Sequence, residues 1–316
     1  MSRPKIEIVE VGPRDGLQNE AAVLSVQDRI DFVRQLEACG ARRIEAASFV
    51  NPKRVPQMAG AEEIMAGLPR EPGRSRIGLV LNAKGYERAL EAGVDEANIS
   101  IAASDGFARA NSGMSVAEQL DMTAEIIERA HNYAGSGQGG PRLSVTVSTV
   151  WGCPFDGEVS VDQVRRVVTA LAALKAPEIG LADTIGAGDP WAVRRKVEAA
   201  REAAPDAILR LHFHDTRNTG LANAYAGVEA GVTVLDASVG GIGGCPFAPR
   251  ATGNIATEDL VYMLERGGFD TGYDLDGLIA TANWVGERLG KTVPSKLSKA
   301  GGFKGLVETD RPPQSG

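Results

Sequence analysis

Cysteine, histidine, basic charge and long apolar runs are all scarce in this 316-residue chain, and each scarcity closes off a class of protein. The three cysteines, Cys39, Cys153 and Cys245, are odd in number and widely spaced, which excludes a disulfide scaffold and leads to the expectation of a reducing, cytoplasmic setting. No stretch approaches the roughly 18 uncharged apolar residues that a membrane span needs. Ser2-Arg3-Pro4-Lys5 runs straight into the apolar segment Ile6–Val11, so no targeting segment is expected. Thirty-four Lys and Arg stand against 41 Asp and Glu, a net charge of −7, whereas nucleic acid and anionic membranes select the opposite balance. Neither is an expected partner. With 43% apolar and 24% charged residues the composition is that of a folded globular protein, not a disordered one.

Length alone admits two domains or one large α/β barrel. Apolar or β-branched runs recur at Ile6–Val11, Arg43–Phe49, Arg76–Leu81, Glu96–Ala102, Leu143–Val150, Glu178–Ala182, Leu209–His214 and Thr233–Val239. Helical patterns at Val26–Ala38, Val116–Tyr133, Val161–Leu174, Trp191–Ala203 and Leu221–Ala230 are long enough for crossovers between parallel strands. Eight such units predict an α/β fold of the closed (β/α)8 type, the TIM barrel. Glu258–Arg266 and Leu275–Leu289 add C-terminal helices expected to cap it. No Pro- or Ser-rich linker divides the chain, and the one Gly-rich interior stretch, Ala134–Pro141, reads as a connecting loop. One domain over residues 1–300 is therefore expected, with a flexible tail at 301–316. A doubly wound open sheet is the second reading, but Gly12-Pro-Arg-Asp-Gly16 lacks the spacing of its phosphate-binding loop.

Active sites of such barrels gather at the C-terminal ends of the strands. Arg14 and Asp15 end the first strand, Glu45 and Ser48 lie on the second, Asp183 follows the sixth, His212, His214 and Asp215 belong to the seventh, and Cys245 and Asn254 follow the eighth. In His212-Phe213-His214, positions i and i+2 of a strand face one way at roughly 6.6 Å, a span that two imidazoles can close around one metal. An arbitrary His-x-His is more often two packed histidines; the strand-end placement favours ligands. Asp15 offers a hard oxygen and Asn254 a neutral one, a mixed set suited to Mg2+ or Mn2+, although an Asp before Gly equally starts a turn. Arg14 has two readings, a guanidinium for an enolate or carboxylate oxygen, or a structural ion pair with Glu45. Gly240-Gly-Ile-Gly-Gly-Cys-Pro246 reads as a mobile lid bearing a thiol or as a plain surface loop.

Glu10-Val-Gly-Pro-Arg-Asp-Gly-Leu-Gln-Asn-Glu20, Ser48-Phe-Val-Asn-Pro-Lys53, Val55-Pro-Gln-Met58, His212-Phe-His-Asp-Thr216, Gly243-Gly-Cys-Pro-Phe247 and Ala251–Leu264 together resemble the 3-hydroxy-3-methylglutaryl-CoA lyase family. The resemblance covers roughly residues 5–300. It implies a divalent cation, Mg2+ or Mn2+, held by Asp15, His212, His214 and Asn254. It further implies Arg14 as stabiliser of a thioester enolate, Glu45 as a site acid or hydrogen-bond partner, and Cys245 as the catalytic cysteine of the glycine lid. Cys245 or a ligand-side histidine such as His212 would protonate the enolate carbon. Gln18, Ser48, Asn111, Asp183 and Thr184 match positions near substrate or metal. The implied reaction is retro-Claisen cleavage of an acyl-CoA thioester to acetyl-CoA and a keto acid, by a homodimer or higher homo-oligomer, in the context of leucine degradation and ketone bodies.

Two departures stand out. Family lyases commonly carry Arg-Gly-Tyr on the fifth strand where this chain has Ser144-Val-Thr146, which predicts an enlarged pocket and an altered C3 substituent, as in citramalyl-CoA or a longer C3-branched thioester. Ala21 also replaces a family lysine. For the phosphates of CoA, Lys53, Arg54, Lys84 and Arg109 are the candidates, each equally readable as solvated surface. A Claisen condensing enzyme of the same superfamily would share Arg-Asp and His-x-His but usually needs a long C-terminal extension. An amidohydrolase-type site needs more histidines than the three present, and a non-catalytic binding barrel remains the bland alternative.

Overall fold

The computed structural model describes residues 3–134, 139–244 and 253–303; Cys245 and part of the expected loop at 134–141 lie outside the described residues. Eight parallel strands, β1 (Glu7–Glu10), β2 (Arg43–Ser48), β3 (Ser75–Val80), β4 (Glu96–Ala102), β5 (Arg142–Ser148), β6 (Glu178–Asp183), β7 (Ile208–Phe213) and β8 (Val234–Ala237), pair in sequence order. β1 bonds to both β2 and β8, so the sheet closes as a (β/α)8 barrel.

The five expected crossover helices are present as α1 (Val26–Ala38), α5 (Val116–Tyr133), α6 (Val161–Ala173), α7 (Pro190–Ala203) and α8 (Gly220–Glu229). Their starts follow ordinary capping chemistry. Ser25, Ser160 and Asp189 accept backbone N–H groups at the first turns of α1, α6 and α7, and Ser115 with Glu118 forms a reciprocal capping box on α5. Three short helices escape the sequence reading: α2 (Ala61–Ala66), α3 (Ala83–Glu91) and α4 (Asp105–Ser112). Each spans under three turns, too short for a 3.6-residue period to stand out. After β8, α9 (Thr257–Arg266), α10 (Leu275–Leu289) and the short α11 (Leu297–Ala300) follow. α10 packs beside α1, with Phe32 and Trp284 ring centroids 5.8 Å apart, and over the turn that follows β8.

The barrel interior is divided. Val9, Val11, Ile77 and Val234 make an apolar patch on the side of β1, β3 and β8. Across from it, Arg43 and Glu45 of β2, Glu96 and Asn98 of β4, Ser144 of β5, Glu178 of β6, and Arg210 and His212 of β7 are polar and buried. At the N-terminal end of the strands, Arg43 Nη2 donates to Glu96 Oε1 at 2.6 Å and to Glu178 Oε1 at 2.7 Å, and Nε donates to Glu96 Oε2 at 2.9 Å. Arg142 reaches Glu178 from the rim, and Ser144 Oγ donates to Glu96 Oε1 at 2.6 Å. This lower layer is closed: each carboxylate meets a cation.

Candidate active site and metal centre

The other end of the barrel is built differently. β1 runs into a single π-helical turn, Gly12–Gly16, that carries Arg14 and Asp15 over the mouth; such turns are frequent at functional sites. Gly16 is required by close approach, since a Cβ there would lie 2.7 Å from Ile242 Cγ1. Gly243, with φ +124°, meets the same turn from the β8 side; its Cβ would stand 2.6 Å from Asn254 Nδ2. The chain after β8 returns at Gly253–Ala256 between the ends of β7 and β8. There Asn254 bridges His214 and Ala256 bridges Ser238.

Asp15, His212 and His214 consequently converge, with one ligand atom from each within 4.8 Å of the others. Asn254 Nδ2 donates to Asp15 Oδ2 at 2.8 Å and to the Ile242 carbonyl at 3.1 Å, which fixes the amide. Asn254 Oδ1 and His214 Nδ1 are buried and have no hydrogen-bond partner among the described residues. His214 turns its other ring nitrogen, Nε2, towards Asp15 Oδ2 at 3.7 Å. Buried polar atoms normally find partners, so the orphaned Asn254 oxygen beside this carboxylate and the two imidazoles fits a cation that would satisfy it. His212 Nδ1 lies 3.2 Å from Asp236 Oδ2. An ionised carboxylate can only accept, so Nδ1 carries the proton and Nε2 keeps its lone pair for a metal.

The charges agree. Burial works to raise the Asp15 pKa, but Arg14, then His212 and His214, outweigh it and hold the carboxyl well below its usual range. Burial is the largest influence on His214 and, with His212 beside it, depresses its pKa to about 4, leaving a neutral imidazole. Arg14 remains a cation: burial opposes its charge, but Glu45 and Asp15 more than compensate. Its Nε donates to Glu45 Oε2 at 2.6 Å and its Nη1 to Asp15 Oδ1 at 2.8 Å. The ion pair with Glu45 and a place at the mouth are thus both present, and the pair aims the guanidinium.

A cavity of about 510 Å³ opens here, lined by Arg14, Asp15, Gln18, Asn111, Thr184, His212 and His214 among the expected residues. Four expected residues stand back from it. Glu45 lies behind Arg14, and Asn254 behind Asp15. Asp183 does not line the cavity; its two oxygens accept the Ala187 and Gly188 N–H groups at 2.8 Å and shape the loop after β6. Ser48 is buried and also outside the lining. Of the basic candidates for CoA phosphates, Arg54 lines the cavity, whereas Lys53, Lys84 and Arg109 are exposed away from it. The expected enlargement through Ser144 is corrected: Ser144 is fully buried in the lower layer against Glu96, and only Thr146 reaches the cavity. The reading of Gly240–Pro246 as a mobile lid is also narrowed. Gly240 to Ile242 are buried, with the Gly240 N–H held by Glu258 and the Ile242 carbonyl by Asn254.

Three residues of the site were missed in the sequence: Asn98, Asp236 and Arg210. Asp236 is the single polar residue of its strand, Asn98 stands two residues after Glu96, and Arg210 shares the i, i+2 face of His212 and His214.

A (β/α)8 barrel that gathers a carboxylate and two imidazoles beside an aimed arginine offers a possible metal site at the strand ends, where barrels of this class build their active sites. More particularly, the chain belongs to the HMGL-like family, which it matches over residues 5–285. It is 42% identical over 296 residues to the 3-hydroxy-3-isohexenylglutaryl-CoA/hydroxy-methylglutaryl-CoA lyase of Pseudomonas aeruginosa, covering 94% of this chain and 97% of that one. It is 43% identical to the (R)-citramalyl-CoA lyase of Chloroflexus aurantiacus over 307 residues, covering 94% and 95%. An HMG-CoA lyase from Acinetobacter baumannii, solved with coenzyme A and 3-methylmalate, superposes with a TM-score of 0.89 at 41% identity, covering 96% of this chain and 97% of that one. Among the described residues no helix is long and apolar enough to cross a membrane.

Proposed function

We propose that the protein is a divalent-metal-dependent carbon–carbon lyase that cleaves 3-hydroxy-3-methylglutaryl-CoA, or a close 3-hydroxyacyl-CoA, to acetyl-CoA and a keto acid, acetoacetate for the first substrate. Family membership supports the reaction class. The single observation that carries the reading is the convergence of Asp15, His212 and His214 beside Arg14, with the buried Asn254 Oδ1 left without a partner among the described residues. In retro-Claisen cleavage a base takes the 3-hydroxyl proton, the C2–C3 bonding pair passes to C2, and the resulting thioester enolate is protonated at carbon. A Mg2+ or Mn2+ ion held by Asp15, His212, His214 and Asn254 would act as Lewis acid towards the substrate's oxygens.

The chain's own groups do the rest. Arg14, fixed by Glu45, meets the charge that grows on the thioester oxygen; as a pre-aimed donor it costs no reorganisation at the moment of reaction. Asp236 holds the His212 ring and its tautomer. Gln18, Asn111 and Thr184 line the cavity and bind substrate, and Arg54 at the same wall suits an anionic CoA group. Asp183 supports the loop after β6 at the edge of the site, and Ser48 is proposed as a residue near the substrate. Cys245, together with His212, is proposed as a proton donor to the enolate carbon. A cytoplasmic homo-oligomer, working in leucine degradation, completes the reading; the dispersed cysteines support the compartment.

A second substrate reading has its own support. Leu79, Leu81, Phe107 and Met114 give the cavity an apolar wall, which suits a longer C3 branch, and the Pseudomonas aeruginosa and Chloroflexus aurantiacus relatives carry the names of branched or related substrates. Acetyl-CoA release from 3-hydroxy-3-methylglutaryl-CoA, citramalyl-CoA and a longer C3-branched thioester, each with Mg2+ or Mn2+, tests both. Release from 3-hydroxy-3-methylglutaryl-CoA with kcat/KM above a hundredfold over the others assigns that substrate; a reversed ratio assigns the branched reading. No release from any of the three rejects the function.

A further inference from the structure

Arg210 is the third residue of β7 and is 1% exposed, a cation sealed inside the barrel between the lower layer and the mouth. It fits because β6 leaves room: a Cβ on Gly180 would stand 3.4 Å from both Nε and Nη2 of the guanidinium. We propose that Arg210 is a positioning residue for the metal centre, holding Asp236 against His212 on one side and, through Asn98 and Glu45, steadying Arg14 on the other. The inference rests on the reading of Asp15, His212, His214 and Asn254 as metal ligands.

Neutralising the lower layer does not account for this residue. Glu178 lies 3.3 Å from Arg210 Nε, but it already has Arg43 and Arg142. Asp236 is less well supplied. Its Oδ2 faces His212 Nδ1, while its Oδ1 has no hydrogen-bond partner among the described residues and lies 3.5 Å from Arg210 Nε. The carboxylate is thus divided between an imidazole N–H and one guanidinium. Among the described residues Arg210 is the cation in ion-pair contact with the second oxygen, Arg14 and Arg43 acting on this carboxylate only from further off. Without Arg210 the carboxylate is free to turn away from the ring it orients.

The other arm runs through an amide. Arg210 Nη2 donates to Thr146 Oγ1 at 2.9 Å and to Asn98 Oδ1 at 3.3 Å. Asn98 Nδ2 donates to Glu45 Oε1 at 3.1 Å, and Glu45 Oε2 accepts from Arg14. A flipped Asn98 would set its NH2 against the guanidinium and its oxygen against the Glu45 carboxylate, both repulsive. Asn98 Oδ1 also accepts from Thr146 Oγ1 at 2.9 Å and Ser144 Oγ at 3.3 Å, but a hydroxyl can rotate to accept instead, whereas a guanidinium can only donate. Arg210 therefore fixes the orientation of the amide that holds Glu45, and one buried cation serves both the metal side and the enolate side of the site.

Mn2+ titration without substrate, followed by electron paramagnetic resonance or calorimetry, tests this, with circular dichroism as the check on folding. Arg210→Met is expected to bind Mn2+ at least tenfold more weakly than wild type, the size of losing a second-layer partner of a metal ligand, with kcat lowered more than KM is raised. Arg210→Lys, which keeps the charge but cannot reach both arms, is expected to fall between the two. In a double-mutant cycle, Arg210→Met combined with Asp236→Asn should bind no more weakly than Asp236→Asn alone, because both act through one contact. A folded Arg210→Met whose Mn2+ affinity stays within twofold of wild type, or effects that simply multiply, would overturn the proposal. If Arg210→Met does not fold, the same cycle run with Arg210→Lys decides it by the same criteria. Wild type that binds no Mn2+ would instead overturn the metal reading, and the proposal with it.

Discussion

The two ends of the barrel both bury charge, and they do so to opposite effect. In the lower layer Arg43, Glu96, Glu178 and Ser144 use one another up. At the mouth Asp15, His212 and His214 converge and Asn254 donates to Asp15, yet Asn254 Oδ1 has no partner among the described residues. Buried ion pairs are weak evidence of stability and weaker evidence of function, because desolvation offsets most of what the pair gains. What separates structure from site here is not the presence of charge but whether its hydrogen-bonding capacity is exhausted. Substitutions in the two layers should therefore fail differently.

The largest expected effect is in the lower layer. Arg43→Met leaves Glu96 and Glu178 buried without their shared cation and should cost about 3–5 kcal/mol in urea unfolding; the folded fraction should still bind metal. Loss of metal binding at unchanged stability would reverse the assignment of the layers. At the mouth, Arg14→Met should lower kcat by a factor on the order of 10²–10³ with little change in KM, the size of losing one donor to a developing oxyanion. An unchanged kcat would leave Arg14 as an ion pair only.

A third, smaller effect comes from outside the barrel wall, at the stems of the mouth loops. Glu10 Oε1 accepts the Gly12 and Val239 N–H groups, and Glu258 accepts that of Gly240. Burial is the largest influence on both carboxyls and raises each pKa to about 7. The folded state therefore binds more protons than the unfolded chain between the ordinary carboxylate range and about pH 7, and stability falls as pH rises through that window. A tenfold difference in proton affinity between the folded and unfolded chain is worth about 1.4 kcal/mol. Glu258→Gln, which cannot ionise, should flatten part of the decline in Tm between pH 5 and pH 8; an unaltered slope would count against it. Smallest of all, Ser144→Ala removes one hydroxyl from the closed layer and should cost about 1 kcal/mol. It should leave the ratio of kcat/KM among 3-hydroxyacyl-CoA substrates unmoved, and a changed ratio would return Ser144 to the pocket wall.

How much of this was legible in the sequence follows from the same contrast. The eight strands and the long helices declare themselves through period, and Asp15, His212 and His214 through position at strand ends. The sequence could not show the π-helical turn at Gly12–Gly16, because its geometry depends on Gly16 meeting Ile242, which follows the neighbouring β8 but lies at the other end of the barrel sequence. Asp183 misled for a related reason: a strand-end acid can face the cavity or fold back onto the next loop, and only the Ala187 and Gly188 amides decide between them. Asn98, Arg210 and Asp236 were within reach. Asp236 interrupts an apolar strand, and the two-residue period places Asn98 on the face of Glu96 and Arg210 on the face of His212. A family comparison of Ser144 and Thr146 alone made the pocket look emptier than it is, since Arg210 reaches Thr146 across β6 from β7.

The most direct test of the two-layer account is equilibrium binding of Mn2+ to the chelator-treated wild type and to His214→Ala, with Tm measured on both. The account predicts one tightly bound ion per chain in wild type and its loss in His214→Ala at a Tm close to that of wild type. Retention of the ion by the folded variant, or absence of binding by the wild type, would contradict it.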